Sequence, residues 1–294
     1  VYAAIISDVE KGISLLTEIN ATGSKFRIGM NAAHLLASRY YLFMENWEKA
    51  AEHATSVFST PGSNLTLYDM TPIDYPAAIS LGGFPYPFTL NNSEIIFYYA
   101  SENEYQIVKA EYTTECFMAS DALRNCFADD DQRWNGYLCP YNEERDQKKL
   151  SKFSNQLEFG ACLRLSEVYL NRAEAYAQMA KAGQNEYFAK AVSDLNSIRE
   201  KRIKNYSSQA WTSSTFNNNA ENLIETCREE RRREFCFEGM RWFDLRRYGM
   251  KSFSHSVDES TSPGDEYSVE IGTASSKWVL PIMKSHKESN PALN

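Results

Sequence analysis

No stretch of this 294-residue chain approaches the roughly 18 consecutive apolar residues that a membrane-crossing helix needs, so no spanning helix is predicted. Cysteine is sparse. Cys116, Cys126, Cys139, Cys162, Cys227 and Cys236 make no CxxC pair and no cysteine–histidine metal spacing, which excludes a zinc finger and a disulfide scaffold. A bridge among Cys116, Cys126 and Cys139 is conceivable in their loop-rich stretch; Cys227 and Cys236, among apolar residues at helical spacing, are expected as buried free thiols. Histidine is scarcer still. His34, His53, His255 and His286 form no HxxxH or HExxH, so neither a metal nor a cofactor is expected. GxSxG, a strand-linked GxGxxG and a P-loop are also absent.

The acidic clusters do not fill that gap. Asp129 to Asp131 lack the alternating ligands and closing glutamate of a calcium loop, and Glu143-Glu144 reads as solvated charge rather than a catalytic pair. Pairing of an aspartate with Arg133 to shape that loop is expected instead. No enzyme is predicted. A net charge of −8 without an uncommitted basic stripe argues against nucleic acid and anionic membranes as partners. The chain also opens at Val1 without a methionine, a basic leader or a cleavage site, so an N-terminal part is expected to have been removed.

What is present is apolar periodicity and aromatic residues. At 43% hydrophobic and 13% aromatic the chain is globular. Residues 2–19 carry Ile5, Ile6, Val9, Ile13 and Leu16 on one helical face. A helical pair follows: Ala32, Leu35, Leu36 and Phe43 form one stripe, Glu45-Asn46 the turn, and Trp47, Ala50, Ala51, Ala54, Val57 and Phe58 the next. A second pair is built from Leu165, Val168, Tyr169, Ala173 and Tyr176, with Glu167, Asn171, Glu174 and Gln178 on the opposite face, and then from Phe188, Ala191, Val192, Leu195 and Ile198. Small residues three before a tyrosine, Ser38 before Tyr41 and Ala173 before Tyr176, follow tetratricopeptide logic, in which small side chains let helices approach closely. The expected fold class is therefore all-α, with tetratricopeptide-like pairs interrupted by a large irregular, loop-rich insertion. The pattern divides a single domain over 1–294 into helical pairs (1–60), the insertion (61–160), further helices (161–250) and a loop-rich tail (251–294).

Two segments stand out within this plan. Arg228 to Gly249, REERRREFCFEGMRWFDLRRYG, places Arg231 and Glu238 at helical spacing with Ile224, Cys227 and Phe235, so cations and carboxylates share a buried stripe. An isolated buried ion costs several kcal/mol, which makes partners obligatory. Arg231, Glu234, Glu238, Arg241 and Asp244 are accordingly expected as a structural clasp, with Glu167 and Glu174 as available partners. The second segment is the insertion, where Phe84, Tyr86, Phe88, Tyr98, Tyr99, Tyr105, Tyr112, Phe117, Trp134, Tyr137 and Tyr141 alternate with amide and charged residues. That mixture suits carbohydrate, whose rings stack on aromatic faces while their hydroxyls bond to polar groups. Tyr105, Tyr112, Phe117, Trp134 and Tyr137 are the candidate platform; Asn103, Gln106 and Arg124 are the candidate hydrogen-bonding residues.

Several motifs converge on one family. NSEIIF (92–97), RLSEVYLNRAEAYA (164–177), LNSIREKR (195–202), EERRREFCFEGMRWFDLRRYG and VLPIMKSHKESNPALN resemble, in this order, segments of the SusD/RagB family of nutrient-binding outer-membrane lipoproteins. The resemblance covers nearly the whole chain. It implies tetratricopeptide-like helical pairs bearing an irregular ligand-binding half and no catalysis. It also implies capture of oligosaccharide at the cell surface and its delivery, as a hinged lid, to a SusC-like TonB-dependent transporter. Anchorage there would be through an N-terminal lipid outside this chain. A peptide-binding lid of the same transporter class is the alternative; a tetratricopeptide scaffold for partner proteins is a third.

Overall fold

The protein's structure is a computed structural model that describes residues 2–19, 23–61, 63–89, 91–99, 119–142, 147–150, 152, 161–250, 252–257, 265–270, 278 and 288. It divides into two compact units, Val1–Glu238 and Gly239–Asn294. The division falls inside the charged segment, whereas the sequence pattern placed the start of the tail at residue 251. The described residues are mostly helical.

In the first unit Tyr2–Glu18 (α1) rests on Met30–Phe43 (α2), and none of the residues of α1 is buried. Glu45, at φ 58°, turns the chain after α2, and Asn46 caps Trp47–Ser59 (α3) by accepting the Lys49 amide at 3.2 Å. Small residues let the two helices close up. Ser38 Oγ donates to the Ala50 carbonyl at 2.9 Å, and Ala50, Ala54 and Val57 are fully buried.

The insertion contributes Tyr75–Ser80 (α4), Ile95–Tyr99 (β1), Asp121–Arg124 (α5), Arg133–Gly136 (α6), Leu138–Asn142 (β2), Gln147–Leu150 (β3) and Ala161–Arg164 (β4). β1 pairs antiparallel with β4, and β2 with β3, as two separate ribbons. Their common core is Met70, Tyr75, Phe88, Ile95, Tyr98, Trp134, Tyr137, Leu138, Leu150 and Cys162. Gly136 sits where this core is tightest: a Cβ there would overlap the Met70 methyl and lie 2.6 Å from Cζ of the buried Tyr75. Gly136→Ala is expected to destabilise the unit by about 1–3 kcal/mol, the usual cost of overpacking, read as a lowered urea midpoint at unchanged slope.

Leu165–Lys181 (α7) and Glu186–Glu200 (α8) form the second pair, and Ala220–Glu234 (α9) follows. α7 contacts α3, α8 and α9, which makes it the central helix of the layer. One reading of the sequence is corrected here. Glu167, Asn171 and Glu174, assigned to the face opposite the apolar stripe, are buried, because α7 is covered on more than one side. Glu167 is accommodated by Arg39 of α2, whose Nε and Nη2 each donate to it at 2.6 Å.

The second unit contains Arg241–Arg247 (α10) and an antiparallel hairpin of Ser252–Val257 (β5) and Asp265–Glu270 (β6). Leu245, Trp242, Phe253 and Trp278 cluster within it, and the Trp242 indole donates to the Trp278 carbonyl at 3.2 Å.

Candidate functional site

The most heavily built polar constellation lies beneath the insertion. Glu94 precedes β1, Arg133 opens α6, Arg164 joins β4 to α7, Arg202 follows α8, and α9 supplies Glu230 and Glu234. All six are fully buried. Glu234 is the centre: it accepts from Arg164 Nη1 at 2.6 Å, Arg202 Nη2 at 2.9 Å, Arg133 Nη1 at 3.1 Å and the Tyr137 hydroxyl at 3.0 Å. Glu94 bridges Arg164 and Arg202, each at 2.9 Å. Arg133 also bonds Asp131 through Nε at 2.9 Å and Nη2 at 2.7 Å, and Glu230 through Nη1 at 2.6 Å. Glu238 accepts from Arg164 Nη2 at 2.7 Å and from Lys152.

The electrostatics follow from this packing. Burial alone would raise the carboxylates, but Arg202, Arg164 and Arg133 hold Glu234 well below the usual range. Arg133 and Arg233 likewise more than offset burial at Glu230 and bring it to about 2. The cations Arg133, Arg164, Arg202, Arg233 and Lys152 face the anions Asp131, Glu94, Glu230, Glu234 and Glu238, so the cluster is self-neutralising. Such a cluster holds elements in register rather than presenting an acid or base to a substrate. A smaller one joins α2, α7 and α9: Arg231 Nη1 donates to Asn171 at 2.9 Å, and its Nη2 lies 3.9 Å from Glu167. Arg241 and Asp244 belong to the second unit, where Asp244 accepts from Arg247 Nε at 3.0 Å.

The candidate ligand residues fare differently from one another. Asn103, Tyr105, Gln106, Tyr112 and Phe117 lie outside the described residues. Trp134 and Tyr137, taken from the sequence as platform residues, are corrected to core. Tyr137 has no exposed surface and donates to Glu234; Trp134 is 8% exposed, with Arg124 and Lys148 each 4.9 Å from its ring centroid. A ring covered in this way offers no face for stacking. Arg124 is half-buried over that ring, 3.6 Å from the fully exposed Asp129 carboxylate.

Sequence spacing also missed a polar chain on the helical layer. His34 Nδ1 and His53 Nδ1 are 3.0 Å apart, His53 Nε2 is 3.1 Å from Glu10 Oε1, and the Tyr41 hydroxyl donates to the same oxygen at 2.8 Å. His34 and His53 are nineteen positions apart on facing helices, so no local motif marks the pair. Among the described residues, no three His, Cys, Asp or Glu side chains converge as a metal site. Cys162, Cys227 and Cys236 are buried free thiols, and Cys126 and Cys139 are also unbridged.

Solved structures share this architecture. A SusD superfamily protein from Bacteroides thetaiotaomicron is 24% identical with a TM-score of 0.70, the match covering 99% of this chain and 64% of that one. A SusD-like carbohydrate binding protein from Bacteroides vulgatus is 20% identical, with a TM-score of 0.64 and the same coverages. A SusD superfamily protein from Bacteroides fragilis is 23% identical, with a TM-score of 0.64 over 100% of this chain and 63% of its own. At these identities the likeness establishes the fold, and the chain spans about 64% of the length of the first two structures. No curated protein matches the chain. The SusD family profile, by contrast, matches residues 87–294, which includes most of the insertion, the central helix and the charged segment. By that match the chain belongs to the SusD family.

Proposed function

We propose that this chain is the greater part of a non-catalytic, cell-surface glycan-binding protein. In this reading it captures oligosaccharide and delivers it, as a lid, to a TonB-dependent transporter of the outer membrane. The observation that carries the reading is the family match across residues 87–294. The shared fold with a carbohydrate binding protein from Bacteroides vulgatus supports it. The intact protein would be tethered at the outer membrane by an N-terminal lipid, with a SusC-like barrel as its partner. Asn103, Tyr105, Gln106, Tyr112 and Phe117 remain the proposed ligand-contacting residues, together with Arg124.

A thermal-shift panel tests the reading. At least one neutral oligosaccharide is expected to raise the melting temperature in a concentration-dependent way, as a ligand that binds only the folded state must. Stabilisation by peptides without any by sugars would replace the glycan with a peptide ligand. Stabilisation by neither would contradict the proposal.

A further inference from the structure

The helical layer carries an open groove of about 850 Å³, walled by α1, α2, α3, α7 and α8. Its floor includes a flat aromatic shelf. Tyr176 of α7 and Tyr187 of α8 stack with centroids 5.1 Å apart and planes 29° apart, and both rings are half-exposed. The exposed Lys190 places its Nζ over the Tyr187 ring, 4.5 Å from the centroid.

The facing wall is a stripe of α3. Glu52, Thr55, Ser56, Ser59 and Thr60 recur at one-turn spacing along it. The protons of several hydroxyls are already engaged: Ser56 donates to the Glu52 carbonyl at 3.1 Å, Thr60 to the Ser56 carbonyl at 3.0 Å, and Ser59 to the Thr55 carbonyl at 3.4 Å. A hydroxyl that donates back into its own helix turns lone pairs outward. Glu52 accepts from Lys49 through Oε2, and its Oε1 has no bond among the described residues. The wall is therefore rich in acceptors, and a complementary ligand must bring donors.

Shelf and wall together select a ligand. A tyrosine shelf favours a flat C–H face, and a row of acceptors favours several hydroxyl groups on the same molecule. Charge does not favour an ion, because Glu48 and Glu52 on one side are countered by Lys190 and by the Lys49 partner of Glu52. The volume falls in the range of small-molecule sites. We infer that this groove is a second binding site, for a neutral oligosaccharide, with one sugar ring on Tyr187 of the stacked pair and hydroxyls along the oligosaccharide donating to Ser56, Thr60 and Glu52. The choice of a sugar among polyhydroxylated ligands rests on the proposed function; the location does not.

Calorimetric titration of the full chain with maltohexaose, cellohexaose, xylohexaose and laminarihexaose tests the inference. Wild type and two variants, Tyr187→Ala and Tyr187→Phe, are compared. One saturable component is expected to weaken about tenfold or more in Tyr187→Ala, as for a lost stacking contact, and to survive in Tyr187→Phe. Substitution at this half-exposed ring leaves the buried core intact, which circular dichroism checks. Ser56→Ala, which removes one acceptor of the wall, is expected to weaken the same component. Sugar binding that is identical in wild type, Tyr187→Ala and Ser56→Ala would overturn the groove and leave the proposed function standing. Absence of any sugar binding would overturn both.

Discussion

Glu234→Ala is expected to remove about 3–5 kcal/mol of folding stability, the range for orphaning a buried charge partner. The size follows from the number of groups that depend on this carboxylate. Arg133, Arg164 and Arg202 all donate to it, as does the Tyr137 hydroxyl, and every one of these side chains is fully buried. With no exposed surface these side chains lie out of reach of bulk solvent, so the guanidinium groups would have to share Glu94, Asp131, Glu230 and Glu238. A domain is commonly stable by only 5–15 kcal/mol, so the loss is a large fraction of the whole. Glu234→Gln keeps the shape and one acceptor oxygen and should fall between wild type and Glu234→Ala. Urea unfolding followed by circular dichroism reads both; a loss below about 1 kcal/mol for Glu234→Ala would mean that the arginines are satisfied without it.

Acid is expected to dismantle the same cluster. Glu230 falls from its ordinary 4.5 to about 2, and Glu94, Glu167 and Glu234 are lowered in the same direction, because their arginine partners outweigh the effect of burial. A lowered folded-state value means that the unfolded chain binds more protons in this range, so stability rises with pH. The contribution is complete above about pH 4.5 and is lost as pH falls toward the folded values. For Glu230 alone the shift corresponds to roughly 3 kcal/mol. Urea midpoints should be nearly level around neutrality and drop steeply between about pH 5 and pH 3. In Glu230→Gln the drop should be shallower, since one of the titrating groups is gone. A midpoint that holds constant down to about pH 3 would contradict the coupling of these carboxylates to folding.

The helices were legible because apolar spacing, a turn and a cap coincide, as at Glu45, Asn46 and the stripe from Trp47 to Phe58. The presence of ions among buried residues in α9 was legible for the same reason: Ile224, Cys227 and Arg231 share a helical face whatever surrounds them. The identity of the partners was not. Glu234 meets arginines 32, 70 and 101 positions away, and nothing in a local pattern ranks Arg133, Arg164 and Arg202 above other cations. The same limit turned Trp134 and Tyr137 into platform candidates. Arg133 and Asn135 flank Trp134, and a glycine precedes Tyr137, while the residues that bury them, Arg124, Lys148, Phe88 and Glu234, come from other elements. Glu167 was placed on the face opposite the apolar stripe because one helix has two faces in sequence, but α7 is covered by α2, α3, α8 and α9.

In the proposed function the ionic cluster frames the unit and the ligand is recognised at surfaces outside it. The most direct test is calorimetric titration of the chain with neutral oligosaccharides, followed by chromatography of the recovered sugar. Saturable binding with the sugar returned at its original length is the expected result; no binding across the panel, or recovery of shortened products, would contradict the account.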